Sequence, residues 1–419
     1  MSRTATIVGA GIAGLSAAAA VAPFFDTVTI LDKDELPAMP RPRKGVAQDV
    51  QVHILLKGGE LALEKLLPGA RAALLAAGAV EVRQTGDVSI WEHDAWHPSR
   101  DLGHSQLLMS RPAYEWVLRR KVLALGNVEI RDNTPVEALA PEGSGLLVVA
   151  TGRGDRLLAS LDVPTTTLGI EVGYVSARFA KPKRYRGETR FIACIPKPPD
   201  DRYGLVCPVE NDEWLITLCS RFDNKVPTDL GGFRAYATSL PIPDVADRLA
   251  EAMPLSPLRS YRIAEANWRH FERASGLPPR VIPIGDCISS FNPTFGQGMS
   301  VAAGHALALR EALADGAANG NGLGQVAAAY LPRAAAVSEQ AWAAAALADL
   351  EYPRTRGDRP AGFDRTLLAS EAMRLAATEH PEVHLLRFEI GNLVKPNSAA
   401  RSGAAARLVA KTLIRRRGE

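Results

Sequence analysis

Residues 5–25 read ATIVGAGIAGLSAAAAVAPFF, and the fold turns on how that stretch is taken. A run of this length without charge can cross a bilayer, and an apolar N-terminal run also suits a secretory signal. Two features argue for a buried element instead. The β-branched run Thr6-Ile7-Val8 comes first, and Gly9, Gly11 and Gly14 follow it at GxGxxG spacing. After Asp26 the pattern resumes as Thr27-Val28-Thr29-Ile30-Leu31 and stops at Asp32. Strand, glycine turn, helix and strand in that order predict a βαβ unit. No other segment is long enough to span a membrane, so a soluble, cytoplasmic protein is expected.

The three glycines answer three physical needs. One makes a tight turn, one lets backbone approach a pyrophosphate, and one allows close packing of helix on strand. The helix start then offers unpaired N–H groups and the positive end of its dipole to phosphates. Asp32 stands eighteen residues after Gly14, where a carboxylate accepts from a ribose hydroxyl. Ala10, Ala13 and Lys33 complete the candidate set at this end. The motif in this context points to a dinucleotide but does not choose between NAD and FAD.

The chain has 419 residues, enough for two or three structural units. Its 47% hydrophobic and 23% charged residues exclude a disordered or collagenous chain. Lys and Arg total 49 against 46 Asp and Glu, a net charge of +3, so no nucleic acid partner is expected. Four scattered cysteines, Cys194, Cys207, Cys219 and Cys287, form no CxxC and are too few for a disulfide framework. Residues 36–48 read as a loop, and His53–Ala77 as two helices broken at Pro68-Gly69. Arg111–Leu125 is a helix with Ser110 as its N-cap. Short strands are expected at 128–131, 136–139 and 146–150. Residues 168–275 lack helical periodicity until 245–252 and carry β-like runs at 173–179, 189–195 and 214–219. An Ala-rich helical region ends the chain.

A second stretch resolves the cofactor. Val281-Ile282-Pro283-Ile284-Gly285-Asp286 is a hydrophobic strand ending in a carboxylate, and the loop Asn292–Gly298 leads at once into a helix. A carboxylate and a second helix start at one ligand suit FAD, whose flavin end gains negative charge when reduced. A nicotinamide has no such need. The expected fold class is therefore α/β with an α+β insert. A Rossmann-type FAD-binding domain would carry an inserted antiparallel substrate domain and a C-terminal helical region. The boundaries expected are 1–85 with 105–167 and 276–335 for the discontinuous FAD domain. Residues 86–104 with 168–275 would form the β-rich substrate domain, and 336–419 the helical region.

Five stretches carry a resemblance: GAGIAG with LDKDELP, RKGVAQ with HILLKGG, SRPAYEWVLR, ATGRGDRL at 150–157, and GDCISSFNPTFGQGMSVA. Together they resemble the p-hydroxybenzoate-hydroxylase-type FAD monooxygenases, and more closely the bacterial flavin epoxidases of the monensin and lasalocid polyether type. The resemblance implies FAD contacts from Gly9, Gly11 and Gly14 to the pyrophosphate and from Asp32 to the adenosine ribose. It further implies Arg43 and Arg111 along the phosphates and Val136 beside the adenine. Gly285 and Asp286 would serve the ribityl or pyrophosphate end. Pro293, Phe295, Gly296, Gly298 and Met299 would lie against the isoalloxazine. The family usually has Glu at the Asp32 position, and its hairpin before ATGRG looks truncated here around 141–147. A WxWxIP motif is absent, which disfavours a halogenase.

The implied activity is that of an NAD(P)H- and O₂-dependent monooxygenase. A C4a-hydroperoxide of the flavin would transfer oxygen to an alkene of an apolar natural-product intermediate such as a polyene, terpenoid or prenylated aromatic. NAD(P)H would reduce FAD directly or through a partner flavin reductase. No protein nucleophile, triad or metal is called for. His93 and His97, or His380 and His384, have no third ligand, and Ser289-Ser290 is not in GxSxG. Phe179, Phe191, Trp214 and Leu218 of the insert, with Phe291 and Phe295, are candidates for an apolar substrate wall. Three alternatives stay open: an aromatic hydroxylase of the same fold, an O₂-independent prenyl reductase or cyclase, and a non-catalytic lipid-binding protein. The tail 399–419 interleaves six basic residues with Leu408, Val409, Leu413 and Ile414. It reads first as a packed terminal helix and second as a basic amphipathic contact with a membrane surface.

Overall fold

A computed structural model describes residues 3–84, 86–139, 145–222, 225–320 and 322–417. Two sheets organise it. The first has five parallel strands in the order Val281–Pro283, Leu146–Val149, Thr4–Val8, Thr27–Leu31, Val128–Arg131. Thr4–Val8 lies at its centre, with Ile7 paired to Ile30 on one side and Val148 on the other. The helix Ile12–Val21 that follows is buried on all sides but one residue, as a helix without a polar face must be. It packs on the long helix Gly298–Ala318, so the two ends of the sequence share one core. Among the described residues no helix is long and apolar enough to cross a membrane.

The second sheet has nine strands and is antiparallel apart from one pairing. Its spine is the sixteen-residue strand Thr165–Ala180, bonded to Arg259–Arg269 and to Glu213–Arg221. Tyr203–Val209 and Phe191–Ile195 continue it. Val88–Glu92 pairs parallel to Phe191–Ile195 and turns into the edge strand Ala95–Trp96. Alternation of side chains divides the sheet cleanly. Val175, Ala177 and Phe179 with Trp214, Ile216 and Leu218 face two helices, Leu230–Thr238 and Asp244–Glu251. Tyr174, Tyr203 and Cys219 face the other way, toward Val301 of the Gly298–Ala318 helix and Trp342 of Val326–Leu350.

Several expectations shift. Leu230–Thr238 is a helix that the sequence reading omits, because Gly231 and Gly232 depress its helical character. Its signal is Asp229, whose carboxylate caps the helix by accepting from Gly232 N–H at 2.8 Å. Val136–Leu139 forms no strand: Pro135 removes a donor, and the preceding Thr134 N–H goes to the Asp32 carbonyl at 2.7 Å. Ser110 sits at the N-cap of Arg111–Leu123, yet its hydroxyl donates to Glu210 at 2.6 Å and caps nothing. The truncation of the hairpin read around 141–147 falls largely on residues 141–144, outside the described residues.

The C-terminal region is helical, at Val326–Leu350, Phe363–Glu379, Pro381–Gly391 and Gly403–Arg417. Arg387 of the third donates to Glu92, which also pairs with His97 at 2.7 Å, so these helices lie over the sheet edge. Arg100 from the same edge donates to the Ala377 carbonyl at 2.6 Å. In the last helix Leu408 and Val409 pack toward Met373, Ala376 and Ala377, leaving Ile414 outward.

The omitted helix is part of the core. Phe233 is fully buried and stacks on Phe179 at 5.8 Å between ring centroids. Phe233→Ala is expected to cost roughly 3–5 kcal/mol in chemical denaturation. A cost near zero would mean that the helix is not packed on the sheet.

Candidate functional site

The glycine turn sits where the central strand of the parallel sheet ends. Gly9 has φ +107°, and a Cβ there would overlap the Ala150 carbonyl, so the position demands glycine. Gly14 presses its bare Cα against the Gly9 carbonyl. Gly11 differs: its backbone is ordinary, at φ −75°, and a Cβ would meet only Arg43 Nη2 at 3.5 Å and Arg111 Nη2 at 3.7 Å. It faces a space walled by two guanidiniums, at the start of a helix.

Asp32 closes this end. Its buried carboxylate accepts from Ala10 N–H at 2.6 Å and from Asp34 N–H at 2.9 Å. Arg43 Nη1 stands 3.1 Å from both of its oxygens. Arg43 also bonds Asp34 at 3.1 Å and Glu115 at 2.8 Å. Arg111 is paired with Asp49 and lies 3.5 Å from Glu115. Burial pulls both guanidiniums toward neutrality. The three carboxylates overcome it at Arg43, whose pKa is raised, whereas at Arg111, beside the Arg43 charge, it is lowered. Asp34, Asp49 and Glu115 escaped the sequence reading. Glu115 was legible as the i+4 partner of Arg111, but Asp49 carries no local signal. Lys33 is exposed, and Val136 is half-buried near the sheet's end.

The second stretch arrives from the far side. Gly285, at φ +66°, has no room for a side chain because a Cβ would stand 2.8 Å from Ala13 Cβ. The close approach brings Asp286 beside the first helix and 3.6 Å from where a Cβ of Gly298 would lie. Gly296, at φ +65°, turns the loop against Ile54, and the long helix begins at Gly298. One cleft is lined by Gly11, Ala13, Arg111, Asp286, Pro293, Gly296, Gly298 and Met299. Gly9, Ala10, Gly14 and Gly285 shape it from beneath.

The cleft, of about 1030 Å³ counting space open to solvent, continues to the second sheet. There Tyr174, Tyr261, Ile263 and Phe291 form its wall. Phe179, Trp214 and Leu218 do not: they face the two helices behind the sheet, and Phe191 packs with Val209 and Leu215. Phe295 packs near Phe291 without lining the cleft.

No family model matches the sequence. It is 32% identical to Protein Rv3254 of Mycobacterium tuberculosis, over 92% of this chain and 89% of that one. The chain belongs to the Rv3254 family. Among solved structures it resembles 2-methyl-3-hydroxypyridine-5-carboxylic acid oxygenase, with TM-score 0.64 and 21% identity over 82% of this chain and 90% of that one. A flavoprotein/dehydrogenase from Cytophaga hutchinsonii gives TM-score 0.72 and 15% identity, with 99% of each chain covered. The flavin-dependent brominase Bmp2 gives 0.69 and 14%, again over 99% of each. These likenesses show the fold: a Rossmann-type parallel-sheet part joined to an antiparallel sheet, as in those flavin-dependent proteins. They do not single out epoxidases.

Two histidines missed in the sequence mark the site. His53 lines the cleft, and its Nδ1 is 3.0 Å from the Gln51 carbonyl. A carbonyl only accepts, so Nδ1 holds the proton. In the neutral ring Nε2 is then a bare acceptor, with no partner among the described residues. Burial, opposed by Gln51 and Asp286, keeps the ring neutral. His305 lies beneath the Gly285 turn. Its Nδ1 accepts from Gly285 N–H at 3.2 Å, and Nε2 reaches Ser338 Oγ at 3.0 Å, which meets Ser289 at 2.9 Å.

Burial holds the His305 pKa down to about 3, from an ordinary 6.5. Unfolded chain takes up this proton below the ordinary value, whereas the folded chain resists until about 3. The stabilisation is therefore complete above pH 6.5 and is lost as pH falls toward 3, by up to ~1.4 kcal/mol per unit. Urea denaturation at pH 7 and pH 5 should show a smaller pH loss in His305→Gln than in wild type. Equal losses would remove His305 from the account.

Proposed function

We propose that this protein is an FAD-dependent monooxygenase, which inserts one oxygen of O₂ into an apolar small molecule by epoxidation of an alkene. The observation that carries the reading is the single cleft that joins the glycine turn, Asp286 and the Gly298 helix start to the wall of Tyr174, Ile263 and Phe291. FAD fits the residues present. The open face of Gly11 admits a pyrophosphate that a side chain would block, with Arg43 and Arg111 beside it. Asp32 would take the ribose, and Asp286 the ribityl end. When bound, FAD supplies the redox chemistry, with NAD(P)H as reductant, directly or through a partner reductase.

The chain's own part is to hold, orient and exclude. The helix starting at Gly298 directs its unpaired N–H groups toward the place where flavin charge would gather. The apolar wall displaces water from the reacting face. A second reading, hydroxylation of a phenolic ring, is favoured by one observation. The bare Nε2 of His53 can accept a proton from a substrate hydroxyl, which an alkene does not offer.

Two glycine variants test the cofactor. Gly11→Ala is expected to fold normally, since its backbone and surroundings admit a methyl, yet to bind FAD at least about tenfold more weakly by fluorescence titration. Gly9→Ala should instead lose stability. Wild-type protein that takes up no FAD would defeat the proposal.

The reaction is tested with ¹⁸O₂, NAD(P)H, a flavin reductase, and panels of polyenes and prenylated phenols. An epoxide carrying one ¹⁸O is expected, and turnover without O₂ would refute a monooxygenase. His53→Gln should leave alkene turnover near wild type. A fall in kcat of about 10²-fold or more on phenols, with ring hydroxylation as product, would instead select the second reading.

A further inference from the structure

The loop Asn292–Gly298 is anchored by a buried polar network that joins three parts of the molecule. Asn292 is fully buried. Its Oδ1 accepts from Thr294 N–H at 3.1 Å and from Thr294 Oγ1 at 2.8 Å, which fixes the turn of the loop. Its Nδ2 donates to Asp349 Oδ1 at 2.6 Å. Asp349 is 1% exposed and stands at the end of Val326–Leu350. The same Oδ1 accepts from Arg221 Nη1 at 2.7 Å, and Arg221, also 1% exposed, ends a strand of the second sheet. Arg221 Nη2 reaches Tyr203 Oη at 3.2 Å, and its guanidinium lies 4.4 Å over the Tyr352 ring. One carboxylate oxygen thus ties the loop, the long C-terminal helix and the substrate-side sheet together.

Nothing about stability alone requires this arrangement. A buried Arg–Asp pair of this kind can be replaced by apolar residues at little cost, whereas breaking one partner is costly. Asp349 Oδ2 and Arg221 Nε have no partner among the described residues, so the pair is also incompletely satisfied. Burial pushes the Asp349 carboxyl up against the pull of Arg221 and Asn292. What the network supplies is a fixed direction for Asn292, and through it for Thr294.

We propose that Asp349 is a positioning residue that sets the loop Asn292–Gly298 through Asn292, with Arg221 making that setting depend on the substrate-side sheet. The consequence for a flavin rests on the function proposed above; the anchoring of the loop does not. Asp349 would touch neither flavin nor substrate. It would act by holding the Pro293–Gly296 turn and the Gly298 helix start in place before FAD arrives.

Three variants test this. Asp349→Leu with Arg221→Met removes the pair without stranding a charge, Asn292→Ala removes the link, and Asp349→Asn keeps an acceptor oxygen for Asn292 while stranding Arg221. Amide hydrogen exchange is read on the flavin-free protein, together with the melting temperature. Exchange at Thr294–Gly298 is expected to rise about tenfold or more in the double variant and in Asn292→Ala. The triple combination should go no further than Asn292→Ala, because the residues act in series. Asp349→Asn should melt lower yet leave loop exchange within about twofold of wild type. Loop exchange that simply follows melting temperature across the set, or that does not move in the double variant, would overturn the proposal. If the double variant does not fold, Asn292→Ala and Asp349→Asn decide it by the same contrast. FAD titration of the same proteins should give about tenfold weaker binding in the first two. Wild-type protein that binds no FAD would sink the proposed function, while exchange would still decide the anchoring.

Discussion

The close approach of Gly285 to Ala13 is the constraint from which the site follows. Two segments more than 270 residues apart meet there at less than ordinary side-chain distance. The contact is permitted because one partner has no Cβ and the other has only a methyl. A larger group at either place would separate the first helix from the Gly285 turn, and with it the glycine loop from Asp286. The parallel sheet delivers the same pairing from below, since Val281–Pro283 and Thr4–Val8 both flank Leu146–Val149. The discontinuous half of the molecule is thus joined twice, once by ladder hydrogen bonds and once by a contact between small residues.

Charge at the other end of the cleft is arranged in an unusual balance. Two arginines that face Gly11 are neutralised by Asp32, Asp34, Asp49 and Glu115, all of them largely buried. Such a group of acids holds the guanidiniums in a fixed fork before any anion is bound. The benefit is direction rather than raw attraction, because a phosphate approaching here meets acids as well as bases. Attraction is left to the start of Ile12–Val21, whose first turn carries no acidic side chain, although Asp32 already takes the Ala10 N–H just before it.

Much of this was legible in the sequence, and the reasons are local. The stretch 5–32 carries strand, turn, helix and acid within one βαβ unit, so its reading needed no tertiary information. Asp286 and the loop after it were legible because a strand end, a carboxylate and a helix start again lie in one short run. What escaped was set by sheet packing. Phe179 and Trp214 were read as substrate wall because they are large and apolar. The helix at 230–238, hidden by Gly231 and Gly232, decides that their face of the sheet is the covered one. Tyr174 and Tyr261 then become the wall by alternation alone. His305 and Asp349 gave no signal at all: an isolated polar residue in an Ala-rich helix acquires meaning only when its burial and partners are known.

The sheet edge at Ala95–Trp96 gives the C-terminal helices a role beyond filling space. An edge strand offers a row of unpaired main-chain groups, which invite pairing with another chain. Here Arg387 is bound to Glu92, and Arg100 is bound to the end of Phe363–Glu379, so these helices are fastened beside that edge. The strand at that end of the sheet is only two residues long, which itself limits such pairing, and its Trp96 stays exposed.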